Sequence, residues 1–559
     1  MAPAVVVGAG AGAGSIVFRW CITTFTHLFS GHADYAASPG ADNPHVPWLG
    51  PYFVILAPVV GGLLYGPLVN RFAREARGHG VPEVMLAVAQ RGGRISPKVA
   101  VVKTLASALC IGSGGSVGRE GPIVQIGSAL GSTLGRITKV TEGRMKLLVA
   151  CGAAGGIAAT FNAPLAGVFF AMELILGSFS AEAFGATVLA SITASIIGRA
   201  AFGNTAFLHL PAFHVDHLAQ YGLFALLGVA AAAVGVGFSR VLYLIEDACD
   251  WLWRGPEWLR PAIGGLALGL LLLALPQMYG VGYPVLEKAT EGGYAVGFLL
   301  LLLVGKMLAT SLTIGIGGSG GVFAPSLFIG AMLGSAYGIG VHHLMPGTAG
   351  ATGAYALVAM GATFAGASRA PITAVVILFE LTGEYSIILP LMLAVVLATV
   401  VSRLLSHDTI YTLKLRRRGI DLEGPADGAP LGAQQVGSVM EPLPSPLPTS
   451  TPLTDAADLL SLSDHGALPV VDQDGEYVGV VTAQAVAEAL AEQPEGAPAL
   501  VGQLAEPPAA VTVGQPLAQA LHTLLSSDGG GIPVLDAERG KPVGWLSHQS
   551  ALRAVHLTA

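Results

Sequence analysis

Charge is scarce in this chain. Only 11% of its 559 residues are Asp, Glu, Lys or Arg, against about 25% in soluble domains. Apolar residues make up 53%, and the mean hydropathy is +0.66. That balance excludes a water-soluble enzyme for most of the length and makes lipid the expected solvent. Cysteine is scarce too. Cys21, Cys110, Cys151 and Cys249 show no paired spacing, which excludes a disulfide framework and reads as free thiols. No HExxH string occurs, which argues against an intramembrane zinc protease. His342-His343 lacks further ligands at metal spacing and reads as a loop pair. No basic segment precedes the first apolar stretch, so the first span is expected to act as its own insertion signal.

Long apolar runs recur from the start to about residue 405, among them Tyr221–Phe238, Ala262–Leu275, Val296–Leu312 and Ile387–Val401. A bilayer span needs roughly 20 residues. Gly and Pro interrupt several runs, as in APVVGGLLYGPLV. Broken helices at membrane depth are tolerated where they are buried in protein or line a polar cavity, a pattern that suits a transporter or channel. The opening VVVGAGAGAGSIVF is no dinucleotide loop. Its third GxGxxG position is Ala13, and no acidic residue follows about 20 positions on. Gly8/Gly12 and Gly10/Gly14 instead give the small-residue spacing of closely packed membrane helices.

Charge is also unevenly divided. Residues 1–419 hold 25 Lys+Arg and 18 Asp+Glu, and residues 420–559 hold 3 and 17. The tail is therefore an acidic, soluble object that would not bind nucleic acid. Lys414, Arg416, Arg417 and Arg418 follow the last apolar run, which predicts a cytoplasmic end and tail.

A repeat organises the membrane part. Residues 112–132, GSGGSVGREGPIVQIGSALGS, and 315–335, GIGGSGGVFAPSLFIGAMLGS, are identical at 11 of 21 positions at an offset of 203. NAPLAGVFFAMEL (162–174) and RAPITAVVILFEL (369–381) form a second pair at 207, each with a Glu nine residues after its Pro, Glu173 and Glu380. Two halves, about 8–200 and 215–419, follow. Repeated halves in transporters place the substrate site at their interface, where broken helices aim N-termini at anions. Each glycine-rich run reads as a helix-breaking loop, with Pro122 or Pro325 in the first turn of the next helix. Free N–H groups and the helix dipole there make an anion site. Dipoles suit fast release better than a full counter-charge.

These residues resemble the CLC chloride channel and transporter family. GHGVPE (78–83), GREGP (118–122), GGVFAP (320–325) and Tyr411 match its motifs in order, across roughly residues 8–418. The resemblance implies an all-α polytopic membrane protein of two inverted repeats of tilted, broken helices. It implies a homodimer in the plasma (inner) membrane with one chloride path per subunit. Gly78, His79, Gly80, Arg119, Gly121, Gly321, Val322, Phe323 and Tyr411 would form the anion path, and Glu120 the gate. An ionised carboxylate at a helix N-terminus takes the anion's place; once protonated it can swing away. Lys103 matches a family lysine and would favour anions by raising the local potential, or snorkel to the interface.

Two departures stand out. His79 replaces the serine of chloride-selective members, which opens nitrate or another small anion as an alternative cargo. Leu174 stands where antiporters of the family usually carry a second glutamate. A leucine cannot relay a proton, so passive, channel-like conduction is the expectation, with H⁺/Cl⁻ exchange through Glu173 or water as the alternative. A CBS-bearing magnesium transporter is the rival from another class; it would need acidic rings along the pore, for which the membrane half has few candidates.

GPADGAPLGAQQ (424–435) reads as a linker, the last part of 420–435. Beyond it ALPVVDQDGEYVGVVTAQAVAEAL (467–490) and GIPVLDAERGKPVGWLSHQSALRAV (531–555) share a strand-turn-strand-helix pattern. They resemble a CBS domain pair of α/β structure, with units at 436–495 and 496–559. Thr482 and Ser547 stand where such pairs contact a ribose, but Ala485 and Ser550 replace the usual aspartates. No cofactor is required on this reading, and an adenine nucleotide is doubtful. Accordingly, ATP and AMP are expected to leave the melting temperature of the detergent-purified protein unchanged; a reproducible upward shift would restore the nucleotide-sensor reading.

Overall fold

The computed structural model describes residues 1–203, 217–420 and 434–557, apart from 464, 493–498, 507–509, 528–529 and 537–539. The expected linker at 420–435 lies almost wholly outside them. The chain divides into two compact units, Met1–Arg418 and Gly419–Ala559.

The first unit is all helix. Its first half runs α1 (Ala2–Ser30), α2 (Phe53–Phe72), α3 (Val81–Gln90), α4 (Pro97–Gly112), α5 (Glu120–Ile137), α6 (Glu142–Phe161), α7 (Pro164–Phe170) and α8 (Ala181–Phe202). The second runs α9 (Ala219–Leu252), α10 (Arg260–Ala274), α11 (Tyr283–Thr290), α12 (Val296–Gly315), α13 (Phe323–Leu344), α14 (Thr352–Ser368), α15 (Pro371–Thr382) and α16 (Ile388–Leu405), with α17 (Thr412–Arg416) closing the unit. Each helix of the first half thus has a counterpart in the second. Eight helices among the described residues are long and apolar enough to cross a membrane; others, such as α3, α7 and α11, are too short.

The short helices begin where the sequence stops the previous one. Asn162 and Arg369 end α6 and α14 in the left-handed region, at φ of 56° and 55°. Pro164 and Pro371 then open α7 and α15, positions that need no N–H donor. His342 and His343 lie in the last turn of α13 rather than in a loop, because the helix continues to Leu344 before the proline at 346.

Small residues let the long helices cross closely. A Cβ on Gly127 of α5 would meet the Gly152 carbonyl oxygen of α6, and one on Gly152 would meet that of Gly127. Gly330 of α13, the repeat partner of Gly127, lies as tightly against Ala359 and Met360 of α14. Gly8 and Gly12 of α1 face Ala190 and Ala194 of α8.

The second unit holds two sheets, β1-β7-β6-β5 and β2-β3-β4, where β1 is Glu441–Pro442, β2 Leu447–Pro448, β3 Ala467–Val471, β4 Tyr477–Thr482, β5 Val511–Thr512, β6 Gly531–Leu535 and β7 Pro542–Ser547. Each repeat lends its opening segment to the other's sheet: Glu441 pairs with Trp545, and Glu506 bridges to Val480.

Gly152→Val forces two backbones apart at the α5–α6 crossing. It is expected to cost about 1–3 kcal/mol and to lower the melting temperature in detergent; an unchanged melting curve would show that the crossing is looser than described.

Candidate functional site

Three glycine-rich loops meet inside the membrane unit. Gly118 and Gly321, one from each half, exchange backbone hydrogen bonds, N to O at 2.8 and 2.6 Å, as an antiparallel bridge. Gly78 donates to the Gly318 carbonyl at 3.0 Å and accepts from Gly320 at 3.3 Å. The antiparallel sense of the first bridge is what two inverted halves require. These bonds also spend the N–H groups of Gly78 and Gly321, so neither is free to meet an anion. The first-turn N–H groups of α3, α5 and α13, including Gly121 and the Val322–Phe323 segment, have no intrahelical partner. All three helix starts converge here. A Cβ on Gly121 would strike the His79 carbonyl oxygen, and one on Gly80 would come within 2.7 Å of the Gly121 oxygen.

Glu120 opens α5 and is 1% exposed. Its Oε1 accepts a hydrogen bond from the Tyr283 hydroxyl at 3.0 Å. Oε2 is buried and takes no hydrogen bond of ordinary geometry, although the N–H groups of Glu120 and Ala324 face the carboxylate. The same oxygen lies against Gly118 and within 3.1 Å of where a Gly321 Cβ would stand. The carboxylate therefore sits between the N-termini of α5 and α13, where helix dipoles stabilise negative charge. The Arg119 guanidinium lies 5.6 Å from the Phe161 ring centre and 5.3 Å from that of Tyr283.

Val322, Phe323 and Tyr411 are each 2% exposed. The Phe323 ring packs edge-on against Phe364 at 4.6 Å and beside Phe161 at 5.7 Å. Tyr411 stands at the start of α17. Its segment is fixed from two sides, by the Tyr243 hydroxyl donating to the Ile410 carbonyl at 2.6 Å and by Ile410 N donating to Ala367 at 2.9 Å.

His79 is buried with both ring nitrogens unpartnered, its ring centre 6.1 Å from that of Tyr243. Such a group costs stability unless a ligand or water satisfies it, which fits a ring lining an ion path. Lys103 is fully buried and does not snorkel. Its Nζ donates to the Ala76 and Gly78 carbonyls at 2.9 and 2.8 Å, so it clamps the loop that carries His79. Lys414 lies on the other side of Gly78, its Nζ 3.8 Å from Glu246 and 2.6 Å from a Cβ placed on Gly78.

Glu173 and Glu380 have a reciprocal task. Glu173 accepts from Ile372 N at 3.2 Å, Thr373 N at 2.8 Å and the Thr373 hydroxyl at 2.7 Å. Glu380 accepts from Leu165 N at 3.0 Å and Ala166 N at 2.7 Å. Each caps the short helix of the other half. Leu174 is 8% exposed, in a π-helical turn over Ala171–Leu176.

Sequence reading missed two residues at the site. Tyr283 is one. Lys306 is the other: fully buried, its Nζ donates to Ser116 Oγ at 2.9 Å and to the Gly280 and Val281 carbonyls at 3.0 Å. Extending the repeat search would have found both, since GVGYP (280–284) lies under GHGVP at an offset of 202 and Lys306 under Lys103 at 203. In the second unit, the Thr482 hydroxyl caps Ala485 N at 3.2 Å. The Ser547 hydroxyl accepts from Ser550 N and donates to Glu441, both at 3.0 Å. Among the described residues no cluster of His, Cys, Asp and Glu could hold a metal ion.

Lys103→Met removes one of two donors from each of the Ala76 and Gly78 carbonyls, which keep the Ser319 hydroxyl and Gly320 N. Loss of the charge-assisted bonds is expected to destabilise the protein by about 1–3 kcal/mol, read as a lower melting temperature; retention of the wild-type value would mean that the loop is held by its other contacts.

Comparison with known proteins fits this geometry. Residues 61–403 match the family described as voltage gated chloride channel, and residues 436–492 and 501–557 each match the CBS domain. The chain is 35% identical over 427 residues to a ClcB-like chloride channel protein of Ralstonia nicotianae, spanning 75% of this chain and 97% of that one. It is 37% identical over 360 residues to the H(+)/Cl(-) exchange transporter ClcA of Vibrio campbellii, spanning 63% and 76%. Among solved structures, a slow cyanobacterial Cl-/H+ antiporter superposes with a TM-score of 0.68 at 29% identity, over 75% of this chain and 97% of the other. A eukaryotic CLC transporter shares the fold at a TM-score of 0.63 and 21% identity, over 98% and 97%. Matched loops from two inverted halves, a carboxylate between two helix N-termini and these likenesses lead to one conclusion: the chain belongs to the CLC family of chloride channels and transporters and carries a C-terminal pair of CBS domains.

Proposed function

We propose that the membrane unit exchanges chloride for protons and that Glu120 is the group both ions contend for. The observation that carries this reading is the Glu120 carboxylate lying buried between the N-termini of α5 and α13. Ionised, it fills the place an anion would take; protonated, it loses its hold on the two dipoles and yields that place. One side chain thus links a proton to an anion. Relatives named as H(+)/Cl(-) exchangers, and the antiporter of 0.68 TM-score, support exchange over the uncoupled conduction that Leu174 suggests.

Chloride is the proposed cargo, held by the N–H groups near Val322 and Phe323 and by the Tyr411 hydroxyl. His79 is the position from which nitrate or another anion would be admitted. We place the protein in the plasma membrane as a homodimer. The CBS pair, joined through the basic run at Lys414, Arg416, Arg417 and Arg418, lies on the cytoplasmic side, stabilising the assembly rather than sensing nucleotide.

A second reading rests on one specific observation. Leu174 is apolar, and Glu173 is tied to the start of α15, so no carboxylate at this position is free to pass a proton. The uncoupled channel is the outcome this favours.

Purified protein in sealed liposomes, with chloride and pH recorded together, separates the two. A chloride gradient is expected to drive protons uphill through the wild type. Glu120→Gln is expected to carry chloride faster, with a flat pH profile and no proton movement. Chloride flux without proton movement in the wild type would establish the uncoupled reading, and an unchanged pH profile in the variant would remove Glu120 from the gate.

A further inference from the structure

The loop Gly280–Tyr283 is the repeat partner of Gly78–Val81, the loop that carries His79. It bears a tyrosine where its partner bears Val81. At the start of the next repeated helix, Glu120 stands where the second half bears Phe323. Two of the places where the halves differ in polarity supply residues that meet: Tyr283 Oη donates to Glu120 Oε1 at 3.0 Å. This bond joins α11 to α5 across the halves.

The meeting is held from behind. Lys306 donates to the Gly280 and Val281 carbonyls of the tyrosine's loop and to Ser116 Oγ of the glutamate's loop, all within 2.9–3.0 Å. It is a buried staple between the two. Thr310, one helical turn on, adds a bond from its hydroxyl to the Ser116 carbonyl at 2.8 Å. The Arg119 guanidinium faces the tyrosine from the other side, 5.3 Å from the ring centre. Gly282, at φ 90°, lets the loop turn back so that α11 can start at Tyr283.

We propose that Tyr283 is the positioning residue of the gate: its phenol holds the ionised Glu120 carboxylate in the anion's place, and Lys306 holds the phenol's loop. The inference rests on Glu120 being the gate. A hydrogen bond donated to a carboxylate favours its charged form, so Tyr283 sets how acidic the medium must be before the carboxylate is released. The charged and titratable groups facing Glu120 are Arg119 on its own loop, Tyr283 on α11, Lys306 on α12 and Tyr411 at the start of α17. The Tyr283 hydroxyl is hydrogen-bonded to the carboxylate at 3.0 Å.

The test is chloride efflux from sealed liposomes as a function of pH, for the wild type, Tyr283→Phe, Glu120→Gln and the double variant. Tyr283→Phe is expected to move the midpoint of the pH profile upward by about one unit, as loss of a hydrogen bond to a charged group implies. Efflux above the wild-type midpoint should then be about tenfold faster. Replacing Tyr283 by 3-fluorotyrosine, a stronger donor of nearly the same shape, is expected to move the midpoint the other way, and keeps the test open should the phenylalanine variant not fold. Glu120→Gln and the double variant are expected to coincide. If the Tyr283 variants keep the wild-type midpoint while Glu120→Gln is flat, the gate stands and the role of Tyr283 is overturned. A Tyr283→Phe effect that persists on the Glu120→Gln background would overturn it as well, as a packing effect. If Glu120→Gln keeps the wild-type pH profile, the gate reading itself fails.

Discussion

Everything in the membrane unit serves a backbone that is left unpaired at the right depth. A helix cut short within a bilayer exposes the N–H groups of its first turn. In hydrocarbon that would cost several kcal/mol per group. Here the helix starts of α3, α5 and α13 converge on one point, enclosed by protein. Their combined dipoles make an environment that suits a single negative charge. In the structure the carboxylate of Glu120 lies there.

The loops that create those helix starts need support of their own, since glycine-rich segments carry no side chains to pack. Two devices supply it. One is direct lacing, through the Gly118–Gly321 and Gly78–Ser319 bridges. The other is a pair of buried lysines, Lys103 and Lys306, each clamping the carbonyls of the GxGxP loop before it. A buried ammonium needs hydrogen-bond partners; Lys103 has two backbone oxygens of the loop it holds, and Lys306 has two together with the Ser116 hydroxyl. On the proposed function, an ammonium there would also bias the potential toward anions.

Much of this was legible in the sequence, and the reason is repetition. Glycine strings and the Ala-Pro turns are short, local and chemically obligatory, so GSGGSVGREGP and GIGGSGGVFAP align without a structure, and their anion-binding sense follows from where Pro122 and Pro325 sit. The charge break near residue 419 gave the soluble tail. Tertiary pairing was not legible. Glu173 reads as a proton-path residue until its three bonds to α15 are seen, and Glu380 is its mirror image. Tyr283 lies in a string that keeps only glycines and proline in common with GHGVP, too little to notice without the two loops side by side. Gly78 and Gly321 read as anion donors because sequence cannot tell that their N–H groups bond the Gly318 and Gly118 carbonyls of neighbouring loops. The pull of Leu174 toward uncoupled conduction shows a further limit. The absence of one carboxylate says how a proton does not travel, and does not say that none does.

The central claim is that the Glu120 carboxylate and the transported halide compete for one place. A bromide anomalous-scattering map of crystals of Glu120→Gln tests it most directly. The account predicts a bromide peak between the first turns of α5 and α13, where the wild-type carboxylate lies, and no peak there in the wild type at a pH where Glu120 is ionised. Bromide absent from that position in the variant, or present there beside an ionised, unmoved Glu120, would contradict it.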